Sequence, residues 1–126
     1  MEIRLYSQSD EAKLFDLLHE EEWTDYCTDS AEYKKALLTS LTYVAYEDDV
    51  LCGYVRGRDD DGFGIYVYDL LVKSSYRGRS FGRMLLEKVY ADHPQDTVYV
   101  MSDVDGYYEK LGYQRVGSIL MVSIRD

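Results

Sequence analysis

The sequence predicts an α/β chain of the α+β kind, with helices on a mixed sheet that contains an antiparallel meander. Three observations predict it. Strand-type alternation opens the chain at residues 2–6, EIRLY; a block from Thr42 to Lys73 holds three β-rich runs broken by acidic turns; and apolar residues recur at helical spacing in other stretches. The expected element order is β-α-α-β-β-β-α-β-α-β-β.

After the first strand, Ser9 or Asp10 can cap a helix whose Leu14, Phe15 and Leu18 share one face, with Trp23 closing that region. Asp29 with Glu32 three residues on forms a second start signal, ahead of Tyr33, Ala36 and Leu37 at helical spacing. The meander follows, with turns at Glu47 to Asp49 and at Asp59 to Gly62, where Asp-Gly is turn chemistry. FGRMLLEKVY places Phe81, Met84, Leu85 and Val89 on one side of a third helix that Pro94 ends. TVYVMSD reads as a fifth strand, and GYYEKLG as a short helix with Gly112 as a left-handed cap. YQRVGSILMVSI reads as two last strands around Gly117.

With 126 residues, 46% of them apolar and only one proline, residues 1–126 are expected to fold as a single domain around one core. Charges are too evenly spread for a membrane span, and MEIRLY is no secretory leader, so a cytoplasmic protein is expected. A net charge of −10 opposes general nucleic-acid binding and favours cationic partners. Cys27, Cys52, His19 and His93 form no metal-ligand spacing, so reduced thiols and no metal are expected.

Against that acidity, Lys73, Arg77, Arg79, Arg83 and Lys88 gather in one segment around SSYRGRSFGRML, Ser74 to Leu85. The apolar run IYVYDLLV leads into this glycine-containing loop and then into a helix, a layout that turns backbone N–H groups and a helix N-terminus toward an anion. Gly78 and Gly82 allow close approach of a ligand, and Arg77, Arg79 and Arg83 can add charge-assisted contacts to phosphate oxygens. A pyrophosphate fits best. Neither a P-loop nor a dinucleotide fingerprint is present.

Here the sequence resembles the GNAT superfamily of N-acyltransferases. Arg77 through Gly82 supplies the frame of its phosphate-loop hallmark, with Ser80 where the first hallmark glycine is expected; D-L-L-V before the loop and Y-Y-E-K-L-G-Y after the fifth strand match further family segments in the same order. The resemblance implies a fourth strand, Ile65 to Lys73, that is bulged and splayed from the fifth. It implies that backbone of Leu70, Leu71 and Val72 holds the pantetheine of acetyl-CoA, while Arg77, Gly78, Arg79, Ser80, Phe81, Gly82 and Arg83 cradle its pyrophosphate. It also implies Tyr108 as the acid that protonates the leaving thiolate, with Tyr107 as the competing candidate. Serine at position 80 keeps the N–H but adds a Cβ, so it suits a helical backbone or a hydroxyl that meets a phosphate.

An attacking amine with a pKa near about 10 must lose a proton first. Asp69, set among Tyr68, Leu70, Leu71 and Val72, is the expected acceptor, with a substrate anchor or a hydrogen-bonded structural carboxylate as equal alternatives. The family's usual asparagine after strand five is absent, and Asp103 or Asp105 there can cap the short helix. Asp16, Glu20, Glu21, Glu22, Asp25 and Asp29 form either a capture surface for a cationic amine or a solvated face.

Three functions follow from different classes. The first is acetyl transfer from acetyl-CoA to a primary amine, most naturally a small cationic one, by direct attack. The second is a non-catalytic acyl-CoA-binding regulatory module. The third is a nucleotide or nucleic-acid binder, which leaves Asp69 and Tyr108 idle. No nucleic-acid or membrane partner is expected, and monomer and homodimer are both left open.

Overall fold

The computed structural model describes residues 1–23, 30–102 and 104–123. Five strands form one sheet in the order β1 (Glu2–Leu5), β2 (Leu41–Glu47), β3 (Val50–Asp59), β4 (Ile65–Val72) and β5 (Val98–Val100). The pairs β1–β2, β2–β3 and β3–β4 are antiparallel, and β4–β5 is parallel. The mixed, mostly antiparallel sheet expected from the sequence is the one that forms.

Helices cover both faces. On one side, α1 (Glu11–Glu20) and α2 (Ala31–Thr39) bring Leu14, Leu18 and Leu37 onto Val44, Tyr54 and Leu71 of the sheet. On the other, α3 (Phe81–Asp92) packs Leu85, Leu86 and Val89 against Tyr43, Val55, Ile65 and Val67. Strand side chains alternate between these two cores, so any extra residue in a strand exchanges the faces of all that follow.

Such an extra residue stands in β4. Arg56 pairs with Asp69 but Gly57 pairs with Val67, leaving Tyr68 unmatched as a bulge. Ile65 and Val67 therefore face α3, whereas Asp69 escapes that face and shares the α1–α2 side with Leu71. This is the bulge that the resemblance implied.

Helix starts follow local chemistry. A 3-10 turn, Gln8–Asp10, precedes α1, and Ser7 with Asp10 forms a capping box across it. The cap of α2 is Ser30, whose Oγ accepts from the Tyr33 N–H at 3.0 Å; the expected Asp29 lies outside the described residues. Cys27, Asp25 and Asp103 lie outside them too. After β5, α4 (Asp105–Lys110) ends near Gly112, whose φ of +89° is the left-handed cap expected there.

The two last strands are a correction. Residues 113–123 form no strand, and Ile119, Leu120, Met121 and Val122 are 61 to 94% exposed. Four apolar residues in succession suit a strand covered on both faces. Beyond the three-residue β5, no element among the described residues supplies those covers.

Asp10 anchors the N-terminal corner. It is 1% exposed, receives both Arg4 guanidinium nitrogens at 2.7 and 2.9 Å, the Tyr46 hydroxyl at 2.7 Å and the Ser7 N–H at 2.9 Å. Burial pushes its carboxyl up, but the hydrogen bonds from Arg4, Tyr46 and Ser7 and the Arg4 charge outweigh it and hold the pKa at about 2. A depressed carboxylate contributes stability that is complete above its unfolded value, near about 4, and is lost as pH falls toward 2. Thermal unfolding followed across that interval is expected to lose about 2 kcal/mol from this group, a loss that Asp10→Asn, already destabilised at neutral pH, does not show.

Candidate active site

Strands β4 and β5 run together for three residue pairs, Ile65 with Val98, Tyr66 with Tyr99 and Val67 with Val100, and the Met101 N–H closes the contact on the Val67 carbonyl at 2.8 Å. Beyond that point no β5 residue pairs with Tyr68 to Val72. The strands splay as expected. The Lys73 N–H bonds to the Cys52 carbonyl at 2.8 Å, which puts Leu71 and Asp69 in hydrogen-bonded register with β3. Leu70 and Val72 consequently turn their backbone groups away from β3, into the gap. Of the three residues expected to hold pantetheine, Leu71 lies between the two whose amides face the opening.

The gap opens onto the loop before α3. A 3-10 turn, Ser74–Tyr76, leads to Gly78 with φ +81° and to Ser80, which caps α3 with φ +65° and no side-chain hydrogen bond to the helix. The expected helical backbone at Ser80 does not form. It is left-handed, the conformation for which the usual glycine is suited, and a Cβ there costs roughly 1 kcal/mol. The turn nevertheless leaves the amides at the start of the twelve-residue α3 without partners in the preceding helical turn, the arrangement that suits an anion. A β-carbon on Gly78 would meet nothing within 4 Å, so the loop has open space in front of it.

The arginine island is more crowded than its sequence suggests. Lys73 pairs with Glu20, Arg77 with Glu21 at 2.7 Å, Arg83 with Glu87 at 3.8 Å and Lys88 with Asp92 at 3.3 Å. Arg79 lies over the Tyr76 ring, 5.1 Å from its centroid, and is the member of the five cations with no carboxylate partner among the described residues. Sequence reasoning missed that Glu20 and Glu21 fold onto the island, because 53 or more residues separate the partners. Glu20 and Glu21 are thereby engaged elsewhere than in a free acidic capture surface.

On the α1–α2 face, Asp69 is 2% exposed. Its Oδ2 receives Arg56 Nε at 2.5 Å and the Tyr33 hydroxyl at 2.7 Å, while Tyr33 also bonds to the Tyr54 hydroxyl at 2.7 Å. Arg56 and Tyr33 are partners that the sequence did not disclose. Burial works against the Arg56 charge, and Asp69 overcomes that, raising the guanidinium pKa. Burial, with the Asp69 charge adding to it, pushes the Tyr33 phenol far up, so it stays a neutral donor. Asp69 Oδ1 is the buried side-chain atom left without a hydrogen-bond partner among the described residues.

The two tyrosines of α4 diverge. Tyr108 is half-buried, packs on the α3 core and stacks with Tyr113 at 6.4 Å between centroids. Tyr107 is 44% exposed, and its hydroxyl lies so close to Gly82 that a β-carbon there would overlap it. Tyr108 lines a cavity of about 1330 Å³ between β5, α3, α4 and residues 113–119. No group of three His, Cys, Asp or Glu side chains suited to a metal occurs among the described residues. No helix among them is long and apolar enough to cross a membrane.

Removing one member of a buried ion pair leaves the other uncompensated. Arg56→Met is therefore expected to destabilise the fold by about 3 kcal/mol in chemical denaturation, whereas Ser80→Gly relieves a left-handed serine and is expected to add about 1 kcal/mol.

Comparison with known proteins agrees with this geometry. A family model described as an acetyltransferase (GNAT) domain matches residues 39–115. An uncharacterized N-acetyltransferase, ycf52 of Pyropia yezoensis, is 23% identical over 83 residues, and the match spans 62% of this chain and 48% of that protein, so the chain covers about half its curated relative's length. Among solved structures, an aminoglycoside 6′-N-acetyltransferase complexed with coenzyme A superposes with a TM-score of 0.76 at 20% identity, covering 93% of this chain and 87% of that one. A ribosomal-protein-alanine N-acetyltransferase from Brucella melitensis biovar Abortus 2308 gives 0.71 at 18% identity, covering 100% and 99%. With the splayed strands, the bulge and the loop ahead of α3 in place, and a family model that spans residues 39–115, the chain belongs to the GNAT acetyltransferase family.

Proposed function

We propose that the chain moves an acetyl group from acetyl-CoA to a primary amine on a small cationic molecule, by direct attack. The observation that carries this reading is the parting of β4 from β5 after Val67 and Val100, beside the amides that open α3. Unpaired strand backbone inside a cleft is costly unless a ligand pairs with it, and an arm bearing amides, such as pantetheine, does so. The loop from Arg77 to Arg83 takes the pyrophosphate, with Arg79 and Arg83 supplying charge. The solved relative with coenzyme A bound supports the choice of co-substrate. Pairing of four of the five island cations with carboxylates argues against a nucleic-acid surface.

Acetyl-CoA supplies a thioester carbonyl already activated toward amines. Amides of Leu70 and Val72, the two that face the gap, orient the arm and polarise that carbonyl. As the C–N bond forms, the amine's proton is accepted at Asp69 Oδ1, the oxygen that Arg56 and Tyr33 leave vacant. Because Oδ1 is buried, the proton reaches it through a water. As the C–S bond breaks, the thiolate takes a proton from Tyr108. With reference values of about 10 for a phenol and about 8.5 for a thiol, complete transfer is uphill by about 2 kcal/mol, so donation accompanies cleavage. The acidic total of −10 favours a cationic acceptor.

Steady-state kinetics with acetyl-CoA and an amine panel, reading thiol release and product mass, test these roles. Tyr108→Phe is expected to lower kcat roughly 100-fold with little change in coenzyme A binding, and Arg79→Ala to weaken binding with kcat kept. The reverse pattern would exchange the assignments, and an equal kcat loss in Tyr107→Phe alone would move the acid to Tyr107. Tight coenzyme A binding without turnover on any amine would favour a binding module.

A further inference from the structure

Helix α1 ends on Glu20 and Glu21, and both reach across to the segment that follows β4. Glu21 stands at a helix end, yet its side chain is only 6% exposed. Its carboxylate receives the Ser74 N–H at 3.0 Å, the Ser74 hydroxyl at 2.6 and 2.8 Å, and Arg77 Nη2 at 2.7 Å. Arg77 in turn donates from Nε to the Val72 carbonyl at 3.0 Å. An exposed ion pair contributes little, but this carboxylate is enclosed and holds a backbone amide, a hydroxyl and a guanidinium together. Two of the Arg77 nitrogens are thus already occupied, and one of them caps a β4 carbonyl at the edge of the gap.

We propose that Glu21 is a positioning residue of the diphosphate site: it acts through Ser74 and Arg77, fixes the 73–77 turn, and makes Arg77 a strut of the loop and not a ligand of the anion. The anion is then met by the amides at the start of α3 with Arg79 and Arg83. This rests on the acetyl-CoA reading given above, and it departs from the role that the hallmark frame assigns to Arg77. The chemistry separates the two roles. If Arg77 contacts the diphosphate, Glu21 competes with the ligand, and neutralising Glu21 tightens binding. If Arg77 is a strut, neutralising Glu21 loosens the loop and weakens binding.

Calorimetric titration of the full chain with coenzyme A tests this, using wild type, Glu21→Gln, Arg77→Ala and the double variant. Each single change is expected to weaken affinity roughly tenfold, and the double variant to be no weaker than the worse single one, because both remove one device. Ser74→Ala, which keeps the Glu21–Arg77 pair, is expected to weaken binding roughly threefold and serves where Glu21→Gln fails to fold. In turnover, Glu21→Gln is expected to raise the KM for acetyl-CoA with kcat and the amine KM unchanged. Wild-type-like or tighter binding by Glu21→Gln, or additive losses in the double variant, would overturn the proposal alone. Absence of coenzyme A binding by the wild type would overturn the acetyl-CoA reading and this proposal with it.

Discussion

One residue, Tyr68, sets the geometry on which the site depends. Inserted into β4 with no partner on β3, it exchanges the faces of everything after it, so Asp69 leaves the α3 side that Ile65 and Val67 occupy and joins Leu71 beneath α1 and α2. The added right-handed twist of a bulge also turns the end of β4 from the line of β5. Pairing with β5 stops at Val67, immediately before the bulge. One irregularity therefore produces both halves of the candidate site, the open backbone for an arm and the buried carboxylate on the far side. A β4 without Tyr68 would send Asp69 into the α3 core, where Val55 and Leu85 offer no partner for a charge.

A reversed face brings an electrostatic demand. Asp69 is taken out of water, and the fold answers with Arg56 from the neighbouring strand and the Tyr33 phenol from α2, itself bonded to Tyr54. This network spans three elements, so it fixes the bulge as well as the charge. Its asymmetry is informative, because the Arg56 and Tyr33 donors converge on Oδ2 and Oδ1 is left bare among the described residues. Buried oxygens without partners are rare enough to need a reason, and the proposed role in accepting a proton supplies one.

The legible part of the fold was the part written in local chemistry. The meander and the Gly112 cap are set by residues near one another in sequence, and each forms where it was expected, whereas the capping box stands on Ser7 with Asp10 and not on the expected Ser9 or Asp10 cap. Long-range pairing was not legible: nothing near Arg77 points to Glu21, and nothing near Asp69 points to Tyr33, since closure over that many residues leaves no local mark. The tail failed for a different reason. Its apolar residues have strand propensity, but propensity records a fit to a pleated, covered surface, and residues 119–122 have no such surface among the described elements.

On the proposed acetyl-CoA reading, a chain of net charge −10 holds its polyanion by local fields, since the global one repels it. Screening over about 8 Å confines each charge to its neighbourhood, so the carboxylates of Glu20 and Glu21, bound to Lys73 and Arg77, cancel those cations before their fields reach the loop mouth. What survives at the mouth is the uncancelled Arg79 and, beside it, fixed backbone: left-handed Gly78 and Ser80, then the amides of a helix start. Dipoles of this kind are already oriented and need no side-chain ordering when an anion arrives, whereas a long arginine must be immobilised. On the same reading, the acidity that opposes the anion at long range draws the proposed cationic acceptor, so the two substrates are recognised by different means. Oriented amides in a small opening serve one, and the diffuse negative surface serves the other.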